Sequence, residues 1–340
     1  MKKIIMELSI ILLVTFTLGG CGFSVAQNIQ SEDISEETTN STSLNDQRKL
    51  PDGAIAVDEE NFPDKCFIKY VEENIDNNKD YVLDREERDN VKGIYLTAIH
   101  EDEYLKNVRD VSGIEYFENL EELQCYEKPI DEIDVSKNLY LKELMVYDTK
   151  IKKLDVSKNS KLLKLICAKT YISSIDLSKN PELTYLNCSE TKIDKIDISS
   201  NKKLEYVDVS GTYISDIDVS GNPNLEQLGV SDTGIKEIDV SGCGNLMLLA
   251  LDNTVINNVD ISQNEKLEVL FFSGCKNLKN IDISNNHKLS WITLEKSGIK
   301  NLDLTGFTEI SEVKCDEDTE IIGVDEDVIK RWYSRKTCTA

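Results

Sequence analysis

The 340-residue chain has few of the residues on which hydrolytic enzymes and nucleic-acid-binding proteins rely. Its two histidines, His100 and His287, lie far apart, and it has no Gly-x-Ser-x-Gly motif and no glycine-rich phosphate loop. Lysine and arginine total 39 against 63 acidic residues, so the net charge is −24 at pH 7. A chain this acidic does not bind nucleic acid through charge. These absences favour a protein that is neither an enzyme nor a nucleic-acid binder.

Aromatic residues are also scarce, at 7% of a chain that is 40% hydrophobic, so its core must be aliphatic. The apolar residues follow a repeated phrase, which reads IDLSKN at 175–180, IDISSN at 196–201 and IDVSGN at 217–222. The interval is 21 residues except for one of 22, where 273–277 carries an extra residue. The aspartates of this phrase are Asp134, Asp155, Asp176, Asp197, Asp218, Asp239, Asp260, Asp282 and Asp303.

Each unit also contains the pattern Leu-x-(Cys/Val/Leu), which alternates as a strand with one buried face does. Leucine or another aliphatic residue holds this register from Leu123 to Val313. One unit cannot bury its apolar edge alone, but stacked units can. The pattern therefore predicts a solenoid of parallel β coils with little helix.

The unit resembles the leucine-rich repeat, L-x-x-L-x-L-x-x-(N/C)-x-L, at the short end of its length range. It is most similar to the internalin-like group, whose short repeats carry an inward cysteine, and the resemblance covers residues 110–315. It implies a leucine-rich-repeat solenoid that recognises macromolecules without catalysis. The inward cysteines are Cys125, Cys167, Cys188 and Cys315. Threonine takes the usual asparagine position, at Thr149, Thr170, Thr191, Thr212, Thr233 and Thr254.

The N-terminus has the features of an export signal. Two lysines precede an apolar run at 10–18 that is too short to span a bilayer, which predicts a signal peptide over 1–20. The run ends in Leu-Gly-Gly-Cys21, which resembles a bacterial lipobox. That resemblance implies a lipid on Cys21 and a bacterial cell-surface protein anchored to the membrane. The alternative is a secreted protein in which this cysteine occurs by chance.

A polar segment and two caps complete the predicted domains. Residues 21–57 have too few apolar side chains for a core and are predicted to be a disordered tether. A helical cap is expected over 58–110 and the solenoid over 111–315, where 111–123 resembles the segment that precedes internalin repeats. A C-terminal cap is expected over 316–340, with an amphipathic helix at 326–338.

The N-terminal cap contains DNNKDYVLDREE, which resembles an EF-hand loop that binds calcium through oxygen atoms. Tyr81 stands where such loops have glycine, at a cost of about 1 kcal/mol because the chain turns there with positive φ. The resemblance implies a structural calcium ion that locks the cap; the alternative is an acidic turn without metal. The implied ligands are Asp76, Asn78, Asp80, the carbonyl of Val82, Asp84 through water, and Glu87.

The cysteines are expected to act mainly as small core residues. Cys167 and Cys188 lie on adjacent coils, but in-register parallel side chains rarely offer disulfide torsions. Cys315 and Cys338 are a second candidate pair, whereas Cys243 and Cys275 lie at different corners of their coils. No Cys-x-x-Cys pair indicates a zinc site.

The aspartate column allows two interpretations. It is either a row of divalent-cation sites, or a row of side chains that accept hydrogen bonds from the turn amides that follow. The second is favoured, since neighbouring lysines dilute the repulsion between the carboxylates.

Alternate strand residues should face away from the core, and some of them are apolar where a solvated sheet is polar. Such patches mark contact surfaces, unless a C-terminal segment covers them or they reflect drift on a tolerant surface. Asp208, Asp252, Glu295 and Asp316 are expected to line the rim of this patch. The candidate ligand-binding residues are Tyr185, Tyr206, Leu248, Val269, Phe271 and Trp291.

The sequence thus predicts a lipid-anchored bacterial surface protein that binds a protein of a host or neighbouring cell on this patch. A glycan-binding module is the alternative, with Trp291, Tyr206 and Tyr185 stacking on sugar rings. A structural envelope component without a ligand is the third possibility.

Overall fold

The computed structural model describes residues 50–96 and 103–332. Most strands in these ranges join one twelve-stranded sheet in which every neighbouring pair is parallel. Successive coils contribute successive strands in register, so the prediction of stacked parallel coils is confirmed. The strands of this sheet are β3 (Gly93–Tyr95), β4 (Glu122–Gln124), β5 (Glu143–Met145), β6 (Lys164–Ile166), β7 (Tyr185–Asn187), β8 (Tyr206–Asp208), β9 (Gln227–Gly229), β10 (Leu248–Ala250), β11 (Val269–Phe271), β12 (Trp291–Thr293), β14 (Glu312–Asp316) and β16 (Ile329–Trp332).

Each three-residue strand of this sheet sends its middle residue into a continuous core that is mainly aliphatic. Leu123, Leu165 and Leu249 are fully buried, and so is the residue that follows each of these short strands, such as Cys167 or Val209. The core runs without a break from Phe62 to the last coils. The extra residue of 273–277 lies outside the strands, so Val269 still pairs with Trp291 and Phe271 with Thr293.

A column of buried asparagines links each coil to the one before it. The Asn201 side-chain Nδ2 donates to the carbonyls of Leu177 and Asn180, at 3.1 and 2.8 Å. Each of these carbonyls also accepts a backbone amide, from Asn180 and Leu183, so the side chain adds a second buried hydrogen bond to each and ties one coil to the next. The sequence pattern alone does not reveal this role of the asparagine. The same paired bonds recur at Asn138, Asn159, Asn180, Asn222, Asn264 and Asn286.

The threonine and aspartate columns satisfy backbone groups within each coil. The Thr212 hydroxyl donates to the carbonyl of Val209, and its counterparts do the same. The Asp197 carboxylate accepts from the Ser199 amide at 2.9 Å, and all nine aspartates of the phrase bond the amide two residues on. The favoured interpretation of the aspartates as turn acceptors is confirmed.

The N-terminal elements pack on the first coils. They are β1 (Ile55–Ala56), helix α1 (Lys65–Asn74), β2 (Val82–Leu83), which pairs antiparallel with β1, and helix α2 (Arg85–Asn90). Asp64 caps α1 and also accepts from the Arg109 amide at 2.7 Å. Gly113 has a φ of +106°, and a side chain there would collide with Phe62. Strand β1 lies within residues 21–57, which were expected to be a disordered tether. Strand β3 lies within residues 58–110, which were expected to be a helical cap.

The C-terminal end differs from the prediction. The expected helix at 326–338 is, over its described part, a short 3-10 turn (Glu326–Val328) followed by strand β16. β16 pairs in parallel with β14, so pairing with the open sheet edge overrides the local helical pattern. Outside the main sheet, β13 (Asn301–Asp303) pairs with β15 (Glu320–Ile322).

We predict that Asn201→Ala lowers the free energy of unfolding by about 2 kcal/mol, because it removes two buried hydrogen bonds between coils, each worth about 1 kcal/mol. Urea denaturation followed by circular dichroism measures this loss. Asn201→Cys is the matched control and should lose less, since Cys243 already fills this position and its Sγ lies 3.6 Å from the Val219 carbonyl. An alanine variant as stable as the parent would contradict the role assigned to the asparagine column.

Candidate binding face

The six candidate ligand-binding residues all lie on the outer side of the sheet, on strands β7 to β12. Tyr185 and Tyr206 stack in parallel with ring centroids 4.0 Å apart. Phe271 and Trp291 meet edge to face at 5.4 Å. We call this set the apolar face; it consists of Tyr185, Tyr206, Leu248, Val269, Phe271 and Trp291.

The apolar face is less exposed than the sequence suggests. Tyr206, Leu248 and Val269 keep only 8%, 7% and 4% of their surface, whereas Tyr185, Phe271 and Trp291 are half-buried. The expectation that all six are exposed is therefore wrong for three of them. Strands about 4.8 Å apart bring neighbouring side chains into contact, so each covers the next.

Two small residues interrupt the row of larger side chains within the face. Gly229 on β9 pairs with Asp208 on one side and with Ala250 on the other, and Ala250 pairs with Phe271. A Cβ on Gly229 would lie only 2.7 Å from the Asp208 Oδ1 atom, so a larger residue would displace this carboxylate.

Two acidic side chains near Gly229 and Ala250 differ from the expected rim, since Asp208 is buried and Asp252 is half-buried. Asp208 is 8% exposed, and its Oδ1 accepts from the Ser210 amide at 2.9 Å. Burial raises the pKa of Asp208 despite that bond. Asp252 accepts from the Ser273 amide at 2.6 Å, yet burial, reinforced by the charges of Asp232 and Glu295, raises its pKa to about 7.

This part of the face has no positive charge of its own. Strands β8 to β11 and the turns that follow them contain no lysine or arginine and three aspartates, which are Asp208, Asp232 and Asp252. These segments are residues 206–212, 227–234, 248–255 and 269–275. Acceptors are also left over, since Gln227 Oε1 is buried without a hydrogen-bond partner. The Trp291 Nε1 donor is likewise buried and unpaired. At the two ends of the face, Lys164 Nζ lies 5.3 Å from the ring centroid of Tyr185 and Lys314 Nζ lies 5.2 Å from that of Trp291. The face therefore combines apolar contact area with acidic side chains in its middle and lysines at its ends.

The predicted calcium ligands lie together in the turn between α1 and α2. Asp76 is 2% exposed; its Oδ2 accepts from the Tyr81 amide at 2.9 Å, and its Oδ1 is buried without a partner. Glu87 accepts from the Asn77 and Asp84 amides, and the Asp84 side chain caps α2. Tyr81 has a φ of 63°, the left-handed conformation expected at this position.

The other ligands of this turn also accept hydrogen bonds from amides. Asn78 accepts from Asp80 and Asp80 from Val82, both at 2.9 Å. Within residues 50–96 and 103–332, no three carboxylate, histidine or cysteine groups converge as a metal site. In the same ranges, no helix is long and apolar enough to cross a membrane.

The described cysteines are free thiols. Cys167 and Cys188 lie with their sulfurs 3.3 Å apart, and Cys243 and Cys275 occupy different corners of their coils, as expected. Cys21, His100 and Cys338 lie outside the described residues.

An open cleft of about 1050 Å³ lies away from the apolar face. It is lined by Lys152, Lys153 and Lys192, but also by Asp155 and Asp176. These opposite charges largely cancel, so the cleft selects neither an anion nor a cation, and we place the candidate site on the sheet.

No protein-family model matches the chain, and no curated protein matches it. Among solved structures, internalin InlF of Listeria monocytogenes str. 4b F2365 has a TM-score of 0.53 at 17% identity, over 84% of this chain and 98% of that one. Internalin C2 of the same strain has a TM-score of 0.59 at 17% identity, over 65% and 97%. The functional domain of InlJ from Listeria monocytogenes has a TM-score of 0.46 at 21% identity, over 81% and 73%. The likeness to InlF and internalin C2 shows the fold, which is a leucine-rich-repeat solenoid.

We predict that Asp252→Asn stabilises the protein above pH 7. A carboxyl whose pKa is raised on folding costs stability once it ionises, so the parent loses stability as pH rises from the unfolded pKa to about 7. Asparagine can still accept the Ser273 amide and carries no charge. Thermal melting should show a higher midpoint for the variant at pH 8 and a smaller gain at pH 5.

Asp260→Asn is the matched control for this prediction. The Ser262 amide and hydroxyl lower the pKa of Asp260, so the loss of that charge should not stabilise the protein at any pH. If both variants shifted the melting temperature equally at pH 8, the prediction that ionised Asp252 destabilises the folded protein would be contradicted.

Proposed function

We propose that this protein is a non-catalytic recognition protein of the bacterial cell surface that binds a partner protein on the apolar face. The observation that carries the proposal is the aromatic and aliphatic character of β7 to β12 on the side that faces away from the core. Half-buried Tyr185, Phe271 and Trp291 offer large contact areas at little entropic cost, as residues of protein interfaces do.

A polysaccharide ligand is the second candidate, because Tyr185, Tyr206 and Trp291 could stack on sugar rings. The geometry favours it less. Tyr185 and Tyr206 stack on each other, and Tyr206 is 8% exposed, which leaves little ring surface for a sugar.

We further propose that the chain is exported and held at the membrane by a lipid on Cys21, with the solenoid displayed beyond it. Support comes from the lysine-initiated apolar run and the Leu-Gly-Gly-Cys sequence alone, since residues 1–49 lie outside the described part of the chain. The partner would then be a protein of a host or neighbouring cell.

Calcium binding in the turn between α1 and α2 is a separate proposal. The ligands would be Asp76, Asn78, Asp80, the Val82 carbonyl, Asp84 and Glu87. It is supported by these oxygen atoms in one turn and by Asp76 Oδ1, which is buried without a donor. A bound ion would compensate this oxygen and fix α1 and α2 over the first coils.

We predict that Phe271→Ala combined with Trp291→Ala reduces partner binding at least about tenfold, because truncated interface aromatics cost about 2 kcal/mol or more. Binding to arrays of surface proteins and of polysaccharides measures it. Tyr213→Ala, which removes a 70% exposed aromatic outside the sheet, is the control. Loss on proteins alone supports the proposal and loss on sugars supports the alternative. No loss on either would favour a structural envelope role.

For the turn, we predict that calcium raises the melting temperature of the parent protein and does not raise that of Glu87→Gln or Asp76→Asn. At a calcium concentration 100 times the dissociation constant, the stabilisation is about 2.7 kcal/mol. Tyr81→Gly should add about 1 kcal/mol without metal, because it removes the cost of a side chain at positive φ. An unchanged melting temperature of the parent with calcium would refute the proposed site.

A further inference from the structure

We infer that the open cleft away from the apolar face binds a neutral saccharide chain, through hydrogen bonds to its charged side chains and a stacking contact with Tyr171. The inference goes beyond the proposed function, because it assigns a second site that does not depend on what the apolar face binds. It stands on the space in the cleft, on the hydrogen-bonding groups around that space and on the exposure of the tyrosine.

Two adjacent serines create the space. Ser173 and Ser174 are exposed and line the cleft, and the coils before and after carry longer side chains at the equivalent positions. These longer residues are Lys152 and Lys153, 21 residues earlier, and Asp194 and Lys195, 21 residues later. The cleft has a volume of about 1050 Å³. Small-molecule sites measure about 300–1,000 Å³, so this space admits more than one linked sugar ring.

The acceptors of the cleft are fixed in orientation. The Asp155 carboxylate accepts from the Ser157 amide at 2.9 Å, and the Asp176 carboxylate accepts from the Ser178 amide at 2.9 Å. Hydrogen bonds from these serines lower the pKa of both carboxyls, so both are ionised at neutral pH. An ionised carboxylate has more acceptor positions than one serine fills, so each keeps capacity for a hydroxyl of a ligand.

The donors of the cleft are lysines without an acidic partner. Lys152, Lys153 and Lys192 are exposed and form no ion pair within the described ranges. Each ammonium group has three N–H donors, whereas a hydroxyl both donates and accepts. A chain of sugar hydroxyls therefore satisfies the carboxylates and the ammonium groups together. An anion would meet the two aspartates and a cation would meet the lysines, but an uncharged ligand meets neither repulsion.

Tyr171 supplies an aromatic surface for the C–H face of a sugar ring. It keeps 49% of its surface exposed, although Lys192 Nζ lies 5.0 Å from its ring centroid. Tyr206 on the apolar face keeps only 8% and stacks on Tyr185. A tyrosine ring has an apolar body and a polar tip, which matches the alternation of C–H and O–H groups on a sugar. The cleft thus has the accessible ring that the apolar face lacks.

A protein segment fits the cleft less well than a saccharide does. None of the lining residues belongs to a strand, so the cleft has no strand edge that a peptide backbone could extend. Most of the lining side chains are charged or carry a hydroxyl, whereas protein interfaces are held by large apolar anchors in fitted pockets.

The test is an array of neutral, sulfated and amino-bearing oligosaccharides probed with the full chain, followed by calorimetric titration with a neutral oligosaccharide that binds. We expect the parent to bind neutral members of the array. The affinity should change less than about twofold between about 0.1 M and about 1 M sodium chloride, because salt screens charge pairs and the ligand has no charge.

Two variants alter the cleft itself. Ser173→Lys combined with Ser174→Lys repeats the lysine pair of the preceding coil, so the coil should fold while long side chains fill the space. Tyr171→Ala removes the stacking surface. We expect each change to weaken the neutral oligosaccharide about tenfold, the upper range for loss of one aromatic contact.

Matched controls make the same changes two coils further on. Ser215→Lys and Tyr213→Ala alter exposed residues at the positions equivalent to Ser173 and Tyr171, but outside the cleft. Both should bind the oligosaccharide as the parent does. Thermal melting of every variant checks that the solenoid remains folded.

The remaining outcomes separate this inference from the proposed function. If the parent binds no neutral oligosaccharide, or binds only charged ones and loses them in high salt, the inference fails. If Phe271→Ala with Trp291→Ala abolishes saccharide binding while the cleft variants do not reduce it, the inference fails and the saccharide belongs to the apolar face. Protein binding to the apolar face is measured on a separate array, so the proposed function can fail while the cleft still binds.

Discussion

The structure depends on the repeated contact of each coil with the coil before it, and the buried asparagine column is its most specific part. A coil of 21 residues has many carbonyls that face the interior, and only some can pair within the sheet. The Nδ2 groups of Asn138 through Asn286 add a second hydrogen bond to carbonyls of the preceding coil, outside the main sheet, that already accept backbone amides. With that edge fixed, the strands on the opposite edge stay in register, and side chains two residues apart remain on the outer face.

The register of the parallel strands aligns the outward side chains of neighbouring coils into one surface. Trp291 lies beside Val269 and Phe271 beside Ala250 only because the parallel strands never slip. Because the strands are in register, a residue that differs from its equivalents in other coils marks a local change in the outer surface. Gly229 and Ala250 interrupt a series of larger residues, and Asp208 and Asp252 lie where the neighbouring coils carry glycine, asparagine or serine. An apolar face with buried negative charge is thereby built on a scaffold that is otherwise uniform.

The coil repeat could be predicted from the sequence because its period is carried by many residues at once, from Leu123 to Val313. The aspartate turns could also be predicted, because an aspartate carboxylate can accept a hydrogen bond from the amide two residues further along the chain. The asparagine column was missed although Asn201 and its equivalents keep the same interval, since a sequence does not show which polar side chain is turned inward. The prediction of a C-terminal helix was wrong because residues 329–332 pair with strand β14. The sequence around them has a helical apolar pattern but does not show this distant partner. The burial of Tyr206, Leu248 and Val269 depends on contacts with neighbouring coils, and these are set by side-chain packing rather than by period.

The coil with one additional residue shows where this architecture accepts change. Its extra position falls within 273–277, between Phe271 and Trp291 in the chain, yet the pairing of β11 with β12 is the same as elsewhere. Length variation is thus absorbed in the turn that follows the strand, without moving the paired strands themselves. Insertions could accumulate there over evolutionary time while the recognition surface changes only by substitution, so the two sides of the molecule can diversify independently.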